Sequence, residues 1–163
     1  MLDDVAFMKE ALKEAQAAFE ASEVPIGAVL VDSAGAIVAR AHNMRETWHD
    51  GTAHAEIIAL QQAAKALGRW RLAGLTLYVT IEPCPMCAGA LVMSRVDRVV
   101  YGAPDAKAGA CESLFNIVSH PALNHQLEMR AGVMEDECRA LMKRFFRERR
   151  RKRESAVDWQ KQS

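Results

Sequence analysis

The chain has 163 residues, half of them apolar, enough for one domain to bury a single core without disulfides. No segment approaches the roughly 20 continuous apolar residues of a membrane span, and the acidic start Met1-Leu2-Asp3-Asp4 lacks the basic and apolar regions of a signal peptide. The formal net charge is zero, which in total argues against nucleic acid, yet Lys143, Arg144, Arg147, Arg149, Arg150, Arg151, Lys152 and Arg153 crowd one segment with Glu148 as its only acid.

Val5, Met8, Leu12, Ala15 and Phe19 recur at helical spacing and predict an amphipathic helix from Asp4 to about Ala21. Val24-Pro25 ends it. Ile26 to Val31 and Ile37 to Ala41 are short apolar runs around the turn Asp32-Ser33-Ala34-Gly35, the pattern of a hairpin. Asn43 to Gly51 is polar and irregular. Thr52 suits the N-cap of a helix reaching about Leu67, with Ile57, Leu60, Ala64 and Leu67 as its buried stripe. Thr76 to Ile81 reads as a buried strand, Pro83 to Ser94 as a helix entered through prolines, and Arg98 to Gly102 as another strand. Leu114 to Ser119 is expected to be a short helix, Leu127 to Arg130 a last strand, and Glu135 to about Arg153 a long final helix. Strands interleaved with helices predict an α/β fold, a central mixed sheet with helices packed on it. Residues 1–153 are expected to form one domain, and residues 154–163 a disordered polar tail.

Two short segments carry the chemistry: His54-Ala55-Glu56 and Pro83-Cys84-Pro85-Met86-Cys87. One imidazole and two thiols make three zinc ligands, and a site with three protein ligands keeps its fourth position for water. A structural site would need a fourth ligand such as Cys111, Cys138 or His125, and none is placed by sequence proximity. His54 and the cysteine pair fall in the first turns of two helices, where the helix dipole favours thiolates. Two thiolates cancel the charge of Zn2+ and acidify the water less than three histidines would, so a nearby base matters. Glu56 suits that role, taking the two protons of the water in turn and passing one to a ring nitrogen and one to the leaving amine. The cysteine pair also indicates a reducing compartment, which makes a cytoplasmic enzyme the natural class. Cys111 and Cys138 are expected to be small buried apolar side chains, and His42, His49, His120 and His125 to make ordinary hydrogen bonds. The His-x-Glu and Pro-Cys-x-x-Cys pair resembles the signature of zinc nucleobase deaminases, and the resemblance implies these same roles.

The likeness extends further. Glu23 through Val29, Thr52 through Leu60, Trp70-Arg71-Leu72, Thr76 through Ala90, Ser94-Arg95, Val99 through Gly109, Asn124-His125, Gly132-Val133, Glu137-Cys138 and Phe145-Phe146-Arg147 resemble bacterial tRNA-specific adenosine deaminases. These belong to the zinc-dependent cytidine and deoxycytidylate deaminase superfamily. The resemblance covers about residues 3 to 152. It implies a cytidine-deaminase-like three-layer α/β/α fold with a mixed five-stranded sheet, one Zn2+ per subunit, and a homodimer that binds a tRNA anticodon stem-loop. The wobble adenosine of an arginine tRNA would become inosine. Asn43 matches an asparagine that hydrogen-bonds the purine, and the Ala55 N–H would meet the reacting edge of the base. Glu23, Val24 and Pro25 match the wall of the base pocket. Asp105 and Lys107 match an RNA-contacting loop, and Phe146, Arg147 and Arg149 match the part of the final helix that meets flanking nucleotides.

Two positions depart from that pattern. Gly51 replaces a common proline, which predicts a looser loop before His54. Glu112 replaces a usual glycine, which would strain a backbone of positive φ or oppose phosphate if it faced RNA. Two rival readings remain: a deaminase of guanine or another free base, which would not need the basic final helix, and a zinc-stabilised RNA-binding module without turnover, which would not need Glu56.

Overall fold

Alternation along one strand divides the interior in two. In β1 (Gly27–Val31) every residue is buried, as in strands covered on both faces. Ala28 and Leu30 join one apolar cluster, Val29 and Val31 the other. The structure, a computed structural model, describes residues 1–162. Its remaining strands are β2 (Ile37–His42), β3 (Thr76–Ile81), β4 (Arg98–Ala103) and β5 (Glu128–Arg130). The sheet order is β2-β1-β3-β4-β5. β1 runs antiparallel to β2 and β3, whereas β3, β4 and β5 are mutually parallel. Helices α1 (Asp4–Glu20) and α4 (Glu135–Gln162) share the cluster on one face; α2 (Ala55–Leu67) and α3 (Pro85–Met93) share the cluster on the other. The mixed five-stranded sheet between two helical layers is the architecture expected from the sequence.

Four details differ from expectation. α2 begins at Ala55 with His54 as its N-cap; the Thr52 N–H and hydroxyl both donate to the Asp50 carboxylate, at 2.8 and 2.7 Å, which keeps Thr52 outside the helix. The buried face of α2 is Ala55, Glu56, Ile58, Ala59, Leu60 and Ala63, and Leu67 is exposed. Its Ala55, Ala59 and Ala63 are fully buried in the cluster that includes the sheet strands. Residues 114–119 are not helical, because the Leu114 and Phe115 N–H groups converge on the Gly109 carbonyl and the Ile117 N–H on that of Ala110. α4 continues through residues 154–162, where a disordered tail was expected; that stretch contains no proline or glycine and several good helix formers. Ser163 lies outside the described residues.

α1 presses on the sheet where β1 begins. A Cβ at Gly27 would lie 2.1 Å from the Ala11 carbonyl oxygen, so no larger residue fits there. The start of α1 is held by Asp4, a buried carboxylate that accepts from Arg98 at 2.9 and 2.8 Å, from Tyr78 at 2.7 Å and from Arg130 at 2.5 Å. The Arg98 hydrogen bonds hold its carboxyl well below the usual carboxylate range, although burial opposes them. Replacing Asp4 by Ala leaves the Arg98 guanidinium and Tyr78 hydroxyl without their acceptor, and we expect a loss of about 3 kcal/mol in denaturant unfolding. Because the folded pKa is depressed, this contribution is complete above the unfolded value near 3.9 and fades as pH falls below it. The wild-type and Asp4→Ala stabilities therefore converge on acidification.

Candidate active site

The start of β1, the ends of β2, β3 and β4, and the first turns of α2 and α3 meet at one edge of the sheet. In a sheet with parallel strands, the carboxyl ends are where crossover connections open a crevice. The crevice here is an open cleft of about 570 Å3, with solvent at its mouth included. Val24, Ile26, Asn43, Arg45, His54, Ala55, Glu56, Ile81, Glu82, Cys84, Asp105 and Ala108 line it.

His54 and Cys84 are the N-cap residues of α2 and α3, and neither side chain caps its helix. Both instead turn toward each other, joined by Cys87 from the first turn of α3. The His54 Nδ1 lies 3.6 Å from the Cys84 sulfur and 3.5 Å from the Cys87 sulfur. A tetrahedral zinc, at about 2.3 Å from sulfur and about 2.0 Å from nitrogen, sets such atoms about 3.5 Å apart. The donor set therefore fits a zinc ion, and among the described residues no fourth ligand joins it. Cys111 and Cys138 are buried elsewhere, and His125 hydrogen-bonds the Val96 carbonyl at 2.7 Å.

The two thiols differ in proton affinity. A hydrogen bond from Cys87 pulls Cys84 down to about 4, helped by His54 and opposed by burial. The Cys84 sulfur and burial push Cys87 upward. Two helix N-termini aimed at the cluster favour negative charge there.

Three carboxylates line the cleft, Glu56, Glu82 and Asp105, and their surroundings separate the roles of the two glutamates. Burial pushes Glu56 up to about 7, so near neutrality it can both accept and release a proton. Its carboxyl and the Cys87 thiol lie close enough to shift each other's proton affinity, which places it beside the triad. Burial would raise Glu82 as well, but the Glu112 and Ser113 N–H groups, the Ser113 hydroxyl and the Asp105 N–H outweigh it and hold Glu82 below its ordinary value.

The structure brings Val24, Asn43, Ala55 and Asp105 into the cleft with His54, Cys84 and Glu56, and Cys87 lies buried behind it. Asn43 is buried; its Oδ1 accepts from the Arg45 N–H at 3.1 Å, and its Nδ2 lies 3.5 Å from the Val24 carbonyl. Glu23 and Pro25 are not among the lining residues. Glu23 is fully buried, and its carboxylate accepts from the N–H groups of Glu46 and Thr47 at 3.0 and 2.7 Å and from the Thr47 hydroxyl at 2.7 Å. It holds the loop that carries Arg45 to the cleft, a lining residue the sequence did not single out. Lys107 is exposed outside the cleft, on the same loop as Asp105. Phe146, Arg147 and Arg149 lie on α4; Phe146 and Arg149, with Arg150 and Arg153, line a separate shallow groove. Phe145 turns inward and stacks edge-on against Phe19 at 5.8 Å. Gly51 has open space where a side chain would sit and no positive φ. Glu112 likewise has no positive φ, so its backbone is unstrained, and its carboxylate accepts the Tyr101 hydroxyl.

Over residues 2–150 the sequence matches the MafB19-like deaminase family. A tRNA-specific adenosine deaminase of Bacillus subtilis (strain 168) is 55% identical over 156 residues, 96% of each chain. A solved structure from a study of A-to-I editing by tRNA:A34 deaminases at the wobble position of transfer RNA aligns with a TM-score of 0.80 at 46% identity, covering 83% of this chain and 98% of that one. A guanine deaminase of Bacillus subtilis aligns with a TM-score of 0.59 at 36% identity, covering 76% of this chain and 81% of that one.

Proposed function

The chain belongs to the MafB19-like deaminase family, and from that premise we propose that it is a zinc-dependent enzyme converting adenosine to inosine at the wobble position of an arginine tRNA. The observation that carries the chemistry is a buried carboxyl, Glu56, lining an open cleft beside a three-ligand metal cluster. His54, Cys84 and Cys87 would hold the ion, which when bound would supply an acidified water as nucleophile. Every other task falls to the chain. Asn43 hydrogen-bonds the purine and fixes its orientation, and Val24 packs on its face. The Ala55 N–H, at the start of α2, meets the reacting edge. Glu56 takes the proton of the attacking water and passes it to the adjacent ring nitrogen, which makes the amino-bearing carbon electrophilic. It then takes the remaining proton from the hydroxyl added to that carbon and hands it to the departing amine, which leaves as ammonia while the carbonyl forms. An adenine in an anticodon loop can be splayed into such a cleft at lower cost than one inside a duplex.

The choice of substrate rests on α4 together with the relatives. Phe146, Arg147, Arg149, Arg150 and Arg153 form an exposed basic surface with one aromatic ring, suited to phosphates and an unstacked base. The reading includes a cytoplasmic homodimer. Leu91 and Val92 of α3 enter the core, whereas Met93, Leu114 and Phe115 are exposed large apolar side chains of the kind an interface covers. No described helix is long and apolar enough to cross a membrane.

A guanine deaminase is the second reading, favoured by the resemblance to the solved Bacillus subtilis enzyme. Changing Arg147, Arg149, Arg150 and Arg153 to Gln separates the two. For a tRNA enzyme, kcat/KM on an anticodon stem-loop should fall at least about tenfold, and the salt dependence should flatten by roughly 0.7 in log-log slope per lost phosphate contact. A free-base enzyme would lose neither, and that outcome would move the assignment to guanine.

A further inference from the structure

Glu82 lies two residues before Cys84 and is 3% exposed. Its Oε1 accepts the Asp105 N–H at 3.1 Å and the Ser113 hydroxyl. Its Oε2 accepts the N–H groups of Cys111, Glu112 and Ser113 at 3.1, 3.0 and 3.0 Å. A carboxylate offers about four lone-pair sites, so these donors leave it nothing for proton transfer. All of them belong to one loop after β4, residues 104–113, which also carries Asp105 and Ala108 into the cleft wall. Gly109 packs directly on the carboxylate: a Cβ there would lie 2.3 Å from the Glu82 Cδ. Two backbone bonds complete the joint, Glu82 N–H to the Ala103 carbonyl at 2.9 Å and Ala110 N–H to the Pro83 carbonyl at 2.8 Å.

We propose that Glu82, seated against Gly109, is a positioning residue that locks the 104–113 loop to the turn presenting Cys84 and so sets the wall the substrate meets. The proposal rests on the reading of function above. Hydrogen bonds to a charged acceptor are stronger than neutral ones. Both ends of the loop converge on this carboxylate, so the loop is ordered before substrate arrives, and binding free energy need not be spent on ordering it. Glu56 and the metal ligands are untouched by this role. Loosening the loop therefore weakens substrate binding more than turnover.

Two variants perturb the joint from opposite sides. Glu82→Gln keeps the volume but turns an amide N–H2 toward N–H donors; Gly109→Ala leaves the carboxylate in place and pushes the loop away from it. In both, hydrogen exchange of the 104–113 amides should accelerate at least about tenfold, and KM for an anticodon stem-loop should rise about tenfold, with kcat within about threefold and zinc content unchanged. Gly109→Ala carries the test if Glu82→Gln does not fold. Faster exchange with unchanged KM would overturn the positioning role, as would unchanged exchange. A wild-type protein silent on the stem-loop would instead refute the reading of function, so the two failures are distinguishable.

Discussion

Glu56→Ala should retain zinc and stem-loop binding and lose deamination by at least about 10³-fold in kcat, a loss typical of removing a general acid–base group. Glu56 is buried and its charged form is disfavoured there. Removing it relieves a desolvation cost, so the variant should unfold no more easily than the wild type. That separates loss of chemistry from loss of fold, and it separates an enzyme from a zinc-stabilised RNA-binding module. Metal content by atomic absorption, stem-loop binding by anisotropy and inosine formation together check it. Full turnover by this variant would refute the mechanism, because of the other two carboxylates lining the cleft Glu82 has its lone pairs occupied and Asp105 is engaged by the Lys107 and Ala108 N–H groups.

The second large effect concerns the metal ligands. Cys87→Ala should reduce bound zinc to a small fraction of one equivalent and bring activity to background. Cys87 is fully buried in the first turn of α3, and its removal leaves His54 and Cys84 as a two-donor site. A strong chelator applied to the wild type should give the same inactivity, reversed by added Zn2+. Because metal ligation couples to folding, the variant and the chelated protein should both melt below the zinc-loaded wild type. A Cys87→Ala protein with full zinc and activity would show that the cluster is not the metal site.

The triad and Glu56 were legible in the sequence because each segment is local. Two residues between Cys84 and Cys87 fit one helix turn, and a strand followed by proline announces that turn. The sheet was legible for a similar reason: β1 and β3 are short apolar runs bounded by turn residues. The loops that shape the cleft were not legible. Glu23 reads as a pocket wall by resemblance, yet its carboxylate reaches forward to Glu46 and Thr47. Glu82 reads only as part of the motif, yet its partners lie between Asp105 and Ser113. Such contacts depend on loop shape, and no periodicity encodes it. In α2 the helical period was clear, but adjacent apolar residues such as Ile57 and Ile58 made its phase ambiguous. Only packing against the sheet selected Ile58.

The most direct measurement is inosine formation in a synthetic arginine-tRNA anticodon stem-loop by the purified, zinc-loaded protein, with free adenosine, guanine and cytidine assayed in parallel. The account expects the wobble adenosine of the stem-loop to be converted and the free compounds to be left unchanged. Turnover of free guanine with no inosine in the stem-loop would contradict it and leave the basic face of α4 as a solvated surface.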